Sequence, residues 1–453
     1  MGHRFTAWLA ALPMLLFGNA QATNSDDELA ALETSGTVAV DQLQHLRTAI
    51  TELQRGRKIF RYDTFGDEAF WGDALRLHQA IAGQANGGVG PGVSPKTALS
   101  VGLKVDVAAL PFKLRSDLRR GRVNLDDPAT TIALLKLDAV VGVRGFFDET
   151  ARLQSVGITC ALCHSTVDDS FGPGIGRRLD GWAARDLNVG AIMALAPNVQ
   201  PFVDLLRIAD PSINAATVRR VFRSWGPGKF DAELLFDGKA FRPDGRPGAT
   251  LIPPAFGLAG VNLHTSTGWG SVTHWNALVA ILAMQGQGTF FDPRLNDPLK
   301  FPIAAQAGFA DVRRTPDLVT AKLPALHQYQ LSLLAPRPPR SSFDAAAAER
   351  GKAVFEGKGE CARCHVPPLF TEPGWNMHRP EEIGIDDFQA KRSPDEHYRT
   401  APLKGLWTHG KGGYYHDGRF ATLEQVIDHY DEFLTLGLSR AEKRDLTEYL
   451  KSL

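Results

Sequence analysis

Apolar positions first recur with helical spacing through Leu43, Leu46, Ile50 and Leu53, and predict a helical lead-in within residues 23–55. The stretch that follows, Arg55-Gly56-Arg57-Lys58-Ile59-Phe60, returns three hundred residues later as Arg350-Gly351-Lys352-Ala353-Val354-Phe355. A second pair matches in the same order: Leu326-His327-Gln328-Tyr329-Gln330-Leu331-Ser332-Leu333 and Leu446-Thr447-Glu448-Tyr449-Leu450-Lys451-Ser452-Leu453. A glycine-bearing first helix and an aromatic-bearing last helix suit close crossing, because glycine lets a neighbouring ring approach the backbone. An internal repeat of this kind predicts a mainly α chain of two tandem units. Two amphipathic helices that merely look alike are the bland alternative.

The remaining pattern fills in those units. Residues 61–157 form a large insertion in the first, read as an accessory helical subdomain that governs access to the unit it packs on. It holds Phe65, Phe70, Trp71 and Leu75, a glycine-rich turn from Gly83 to Gly92, and a helix start at Asp127-Pro128 with Asp as N-cap. Ile132 to Val143 is apolar enough to be buried. Two helices are expected around 187–207 and 214–224, and residues 225–275 are turn-rich. Ala335 to Arg340 is proline-rich and stiff, so the boundaries fall at 23–335, a linker over 336–342, and 343–453. In the last unit Asp344 caps a helix through Phe355, and Thr422-Leu423-Glu424-Gln425 and Ser439-Arg440-Ala441-Glu442 are capping-box starts. Much irregular loop is expected between these helices, in keeping with 28 prolines and 44 glycines.

The four cysteines change the picture from architecture to chemistry. They form Cys160-Ala161-Leu162-Cys163-His164 and Cys361-Ala362-Arg363-Cys364-His365, each a Cys-x-x-Cys-His signature of covalently attached c-type haem. Two thiols at that spacing each add to one porphyrin vinyl group, and the following imidazole falls where it binds the iron. Five residues separate Phe355 from Cys361, whereas about a hundred separate Phe60 from Cys160. The placing of each helix pair about a motif favours duplication. Disulfides, a redox dithiol or a four-cysteine zinc site are the competing uses of such pairs. None of them needs the histidine, and a zinc site draws its pairs from closer positions. Two cytochrome c-like domains carrying two covalent haems c follow, with Cys160, Cys163, Cys361 and Cys364 as attachment points and His164 and His365 as iron ligands.

Charge and the N-terminus set the compartment. Fifty basic residues balance fifty acidic ones, which leaves no footprint for nucleic acid. His3 and Arg4, the apolar run Phe5 to Phe17, and Ala20-Gln21-Ala22 read as a signal peptide over 1–22, cleaved near Ala22, against the alternative of an uncleaved anchor. The mature chain has no apolar run of about 18 residues, so no membrane span is expected. A periplasmic protein follows, consistent with haem attachment outside the cytoplasm.

Function turns on the sixth iron ligands, since a closed iron only carries electrons and an open one binds a small molecule. For the second haem the residues to weigh are Met377, His378, His429 and Tyr430. Helical spacing puts Tyr430 on the buried face, where packing alone also accounts for it, and turns His429 elsewhere. Met377 lies only twelve residues past His365, an awkward reach to the opposite face.

Two stretches then carry a resemblance: Tyr398-Arg399-Thr400-Ala401-Pro402-Leu403-Lys404-Gly405-Leu406, and Gly413-Tyr414-Tyr415-His416-Asp417-Gly418-Arg419-Phe420-Ala421-Thr422-Leu423. They resemble the bacterial di-haem cytochrome c peroxidase superfamily, which includes the MauG-like enzymes that mature methylamine dehydrogenase. Lys404 replaces the family's usual Arg, and Tyr414 stands where Pro is common. The resemblance is specific over 343–453 and extends to the first unit only in the order of its elements. It implies that Tyr430 occupies the position of the second haem's sixth ligand and that His416 lines the haem pocket. A phenolate there stabilises ferric and higher-valent iron. It also implies peroxide as a substrate at the first haem, an acidic acid/base residue, and a Trp between the haems. Glu233 and Trp225 stand at fitting distances past the first motif; His264 or His274 would instead close that iron and leave an electron carrier. Calcium between the domains is implied by the resemblance alone. A small redox protein or a quinol-linked donor would supply electrons.

Overall fold

The computed structural model describes residues 40–453, so the expected signal peptide lies outside the described residues. The chain divides at Arg55/Gly56. Residues 40–55 belong to the helix Val40–Tyr62, and everything below concerns Gly56–Leu453. The fold is helix-rich, and its five sheets among the described residues have only two strands each.

Two clusters of buried apolar residues form the core of this body. One gathers residues from Ile59 to Tyr329, the other from Phe355 to Leu450. The same helix crossing closes both. Gly56 faces the helix Leu323–Ser332, where a Cβ would stand 2.0 Å from the carbonyl oxygen of Ala325. Gly351, on the helix Ala345–Glu356, faces Arg440–Lys451, and a Cβ there would stand 2.0 Å from Asp445 O. The absent side chains allow contact of backbone with backbone, and one turn further on the aromatic rings meet edge to face. Phe60 and Tyr329 have centroids 5.6 Å apart; Phe355 and Tyr449, 5.2 Å.

The helix starts read from sequence are present. Asp344 accepts from Ala346 and Ala347 N–H, Asp127 accepts from Ala129 N–H ahead of Pro128, and Thr422 and Ser439 form reciprocal capping boxes with Gln425 and Glu442. Two expectations need correction. The insertion is not wholly helical: Val143–Phe147 and Leu153–Ile158 pair as an antiparallel hairpin. The carboxylate of Asp148 shapes its turn, accepting from the backbone N–H of Thr150 and of Arg152 at 2.9 Å. The helix expected over 187–207 is two, Val189–Ala194 and Gln200–Leu206. Pro197 between them has no N–H to continue the first. The proline-rich linker is held in place, since Pro336 O accepts from Trp407 Nε1 at 2.9 Å.

Candidate functional site

The hairpin delivers the first cysteine motif. Its second strand runs into Thr159, whose N–H donates to Gly142 O, and a single helical turn, Ala161–His164, follows. Gly142 has φ of +80°, and a Cβ on it would lie 2.1 Å from the Cα of Leu162, so only glycine lets the hairpin back this turn. On the other side Gly181 N–H donates to His164 O and Ala184 N–H to Cys163 O. The second motif is wound into the short turn Cys361–Arg363 directly after the glycine helix, and His365 N–H closes it on Cys361 O at 2.9 Å.

The two histidines are held alike. His164 Nδ1 lies 3.1 Å from Pro253 O, and His365 Nδ1 lies 3.3 Å from Phe370 O. A proton on Nδ1 donated to a carbonyl leaves Nε2 with its lone pair, which is the form that binds a metal. Burial pushes His164 down to about 4 and lowers His365 too, so both rings stay neutral. The four thiols are free of disulfides. Burial raises them all, Cys160 and Cys163 to about 12 and Cys361 to about 11. Thiols as far from ionising as those of Cys160, Cys163 and Cys361 fit poorly as a redox dithiol or as thiolate metal ligands. Two neutral thiols beside a neutral imidazole with a free Nε2 is a donor set that fits covalent haem at both motifs.

Around the second motif the helix Leu423–Phe433 brings Tyr430 close enough to the thiols of Cys364 and Cys361 to feel their charge. Burial, the larger cause, raises Tyr430, while Tyr415, whose ring centroid lies 6.3 Å away, works the other way; the buried Tyr415 hydroxyl has no hydrogen-bond partner among the described residues. Tyr415 is raised much further, first by burial and then by Tyr430. Of the two phenols, Tyr415 is held the more firmly protonated. His429 Nε2 is engaged with Ile383 O at 3.0 Å. Met377 sends its sulfur against Gly268, and His378 Nε2 pairs with Glu372 at 2.6 Å.

The His416-Asp417-Gly418 loop docks on the first cluster. Leu251 N–H donates to His416 O, Lys229 Nζ to Asp417 O, and Arg242 bridges Asp417 and Asp386 at 2.6 and 2.7 Å. The His416 ring stacks on Tyr398 with centroids 5.0 Å apart, and its Nε2 has no partner. Burial pushes it down to about 4.

The acidic and imidazole candidates of the first unit fall in separate places. Glu233 belongs to a buried ionic cluster: Arg392, with a side chain 0% exposed, pairs with Asp231 at 2.9 Å and Asp237 at 2.7 Å. Burial raises Glu233, and it pushes Asp231 up to about 7 in spite of the guanidinium. Three carboxylates around one cation retain a proton more easily than they ionise together. His264 Nε2 faces Leu258 O at 3.2 Å and its Nδ1 is unpartnered. His274 packs against Trp275 and Phe290, with Nε2 3.6 Å from Asp292, a carboxylate already taken by Arg294 and Trp269. Trp225 is buried with its Nε1 unpartnered, edge-on to Phe230.

Several groups escaped the sequence reading. Arg392, Arg185 and His409 sit in irregular segments with no motif to mark them. Trp182, one residue past Gly181, meets Trp407 edge-on at 5.3 Å. Cys364, Glu372 and His378 bring one ligand atom each to within 4.8 Å of one another. That set of sulfur, nitrogen and oxygen suits a soft or borderline cation, not calcium, which takes oxygen ligands.

No family model matches the chain. Among curated proteins it is 32% identical over 124 residues to the methylamine utilization protein MauG of Methylorubrum extorquens, covering 24% of this chain and 35% of that protein. It is 27% identical over 152 residues to the cytochrome-c peroxidase IdrP1 of Denitromonas iodatirespirans, covering 24% of this chain and 40% of that one. The matches thus span well under half the length of these relatives. A solved MauG-like protein associated with microbial copper homeostasis superposes with a TM-score of 0.32 at 18% identity, over 55% of this chain and 84% of that one. That likeness is too loose to bear on the fold.

Proposed function

Because this chain belongs to the di-haem cytochrome c peroxidase and MauG-like family, we propose that it is an exported, periplasmic di-haem c-type oxidoreductase. In this reading peroxide is reduced at the first motif and electrons enter through the second. The observation that carries it is the matched pair of motifs, each with two neutral thiols and a histidine whose Nδ1 faces a backbone carbonyl. Cys160 and Cys163, with His164, would hold one haem; Cys361 and Cys364, with His365, the other. A haem bound there supplies an iron that changes valence by one electron and, where a coordination position is open, accepts a peroxide oxygen.

The chain's own residues have distinct tasks in this proposal. The carbonyls of Pro253 and Phe370 fix the imidazole tautomer and raise its basicity. Tyr430 offers a phenol oxygen at the second site, and Tyr415 packs beside it and keeps its own proton. Reducing peroxide to two waters consumes two electrons and two protons. Glu233, raised by burial, is the candidate acid, and Asp231, pushed up to about 7 by burial, belongs to the same cluster. A small redox protein or a quinol-linked donor supplies the electrons.

A second reading, an electron-transfer cytochrome with both irons six-coordinate, is favoured by the unpartnered ring nitrogens of His264 and His274. Absorption and EPR spectra of the matured protein separate the two. A high-spin ferric signal that changes when peroxide is added is expected. Two low-spin haems indifferent to peroxide, in the oxidised and half-reduced protein alike, would sink the enzyme reading.

A further inference from the structure

Arg185 is a buried cation that faces no anion. Its residue is 8% exposed, and among the described residues no carboxylate pairs with it. Nε has no partner, and Nη1 makes one long contact, 3.5 Å, with Gly413 O. Its charged and ionisable surroundings are Tyr414, His409 and Lys229, and the ammonium of Lys229 is turned to Asp417 O. Burial, the first cause, brings even the guanidinium down to about 10. His409 presents a second unmet group, a buried Nε2 with no partner. It stays neutral, pushed to about 3 by burial and by Arg185.

A buried, unpaired guanidinium costs several kcal/mol unless an anion meets it, and a planar fork of donors matches a carboxylate. The position of this group is informative. The residue before it donates to Cys163 O in the first motif. Its side chain reaches Gly413 beside Tyr414, which packs on the same apolar cluster as Cys361. The unmet donors thus stand between the segments that carry the two cysteine motifs.

Resting on the haem reading above, we propose that Arg185 and His409 form a carboxylate-binding pocket whose occupant is a haem propionate. A haem fixed at either motif brings two carboxylates that have to be housed, and this pocket lacks only that charge. The pocket then sets the iron's potential: a cation beside the propionate favours the ferrous state.

The test uses the full haem-loaded protein, its propionate bending band in resonance Raman spectra and its midpoint potentials by spectroelectrochemistry. In Arg185→Gln the band should shift and one midpoint should fall. Arg185→Lys, which keeps the charge, should hold the potential near wild type. His409→Gln should shift the band with a smaller change in potential, and carries the test if Arg185→Gln does not accumulate. Covalent haem with unchanged band and midpoints in both Gln variants overturns the proposal alone. A chain without covalent haem overturns the haem reading along with it. A wild-type midpoint that moves with added acetate, but not in Arg185→Gln, with the band the same in both, assigns the pocket to free carboxylate and overturns the propionate.

Discussion

Gly351 leaves no room for a side chain: a Cβ on it would stand 2.0 Å from the carbonyl oxygen of Asp445 and 2.9 Å from the amide of Leu446. The neighbouring atoms are helix backbone, which cannot swing aside. Gly351→Ala should therefore destabilise the protein by at least ~2–3 kcal/mol, the upper range for overpacking. Gly410→Ala is the control, with nothing within 4 Å and φ of −61°, and should stay within ~0.5 kcal/mol. Chemical unfolding midpoints compare the two; equal losses would remove the crossing as a point of close approach.

Among the described residues Arg392 is the only cation paired with the buried carboxylates Asp231 and Asp237. Replacing it with Met keeps the volume and strands their charge, so Arg392→Met should lose ~3–5 kcal/mol. The loss should shrink in Arg392→Met combined with Asp237→Asn. Additive losses would mean that the charges are not coupled.

Tyr430 and Tyr415 should separate spectroscopically. If Tyr430 gives its oxygen to the second haem, Tyr430→Phe changes the ferric absorption spectrum and raises that haem's midpoint. Tyr415→Phe removes only the hydroxyl of the ring packed beside Tyr430 and should give a smaller shift. An unchanged spectrum in Tyr430→Phe would end its assignment as a ligand.

Acid should unfold the protein early. His409 and His416 fall to about 3 and about 4 from an ordinary 6.5. The folded state resists their protonation, so the stability they lend is complete above pH ~6.5 and drains away as pH falls toward 4. Each contributes a slope of up to ~1.4 kcal/mol per pH unit. Asp231, pushed up from 3.8 to about 7, acts in reverse: the stability its retained proton lends is complete below the ordinary carboxylate range and is lost as pH rises from there to 7. The windows overlap and two histidines outweigh one carboxylate, so urea midpoints should rise from pH 4 to about 7 and level off above it, and His409→Gln should flatten the rise.

Haem attachment and cation binding compete for one thiol. Cys364 closes the cluster with Glu372 and His378, and a thioether there leaves no thiolate. Chain produced without haem maturation should take up zinc, with loss of the site in His378→Ala, and haem-loaded chain should take up none. Equal zinc content in both forms would place the metal elsewhere.

The local signals read well from sequence because they depend on neighbours in the chain. The N-caps at Asp127, Asp344, Thr422 and Ser439 each satisfy amides two or three residues on. The repeated glycine and aromatic positions were legible for a related reason: a helix that crosses another closely has to carry the missing side chain itself. The hairpin at 143–158 was not, since its turn relies on one carboxylate, and neither was the break at Pro197 within an otherwise helical pattern.

The sequence by itself determined two Cys-x-x-Cys-His turns, the helices that flank them, and the candidate Tyr430. Those are fixed by spacing along the chain. Only the tertiary structure decided which carbonyls hold His164 and His365, that Tyr415 backs Tyr430, and that Glu233 shares a buried cation with Asp231 and Asp237. It alone left Arg185 Nε and His409 Nε2 without partners at the junction of the two motif-bearing segments. The reason is physical: a charge or ring nitrogen acquires its character from what lies within a few ångströms after burial, and that neighbour lies 5 residues along the chain for His365 but 89 for His164 and 228 for Arg185.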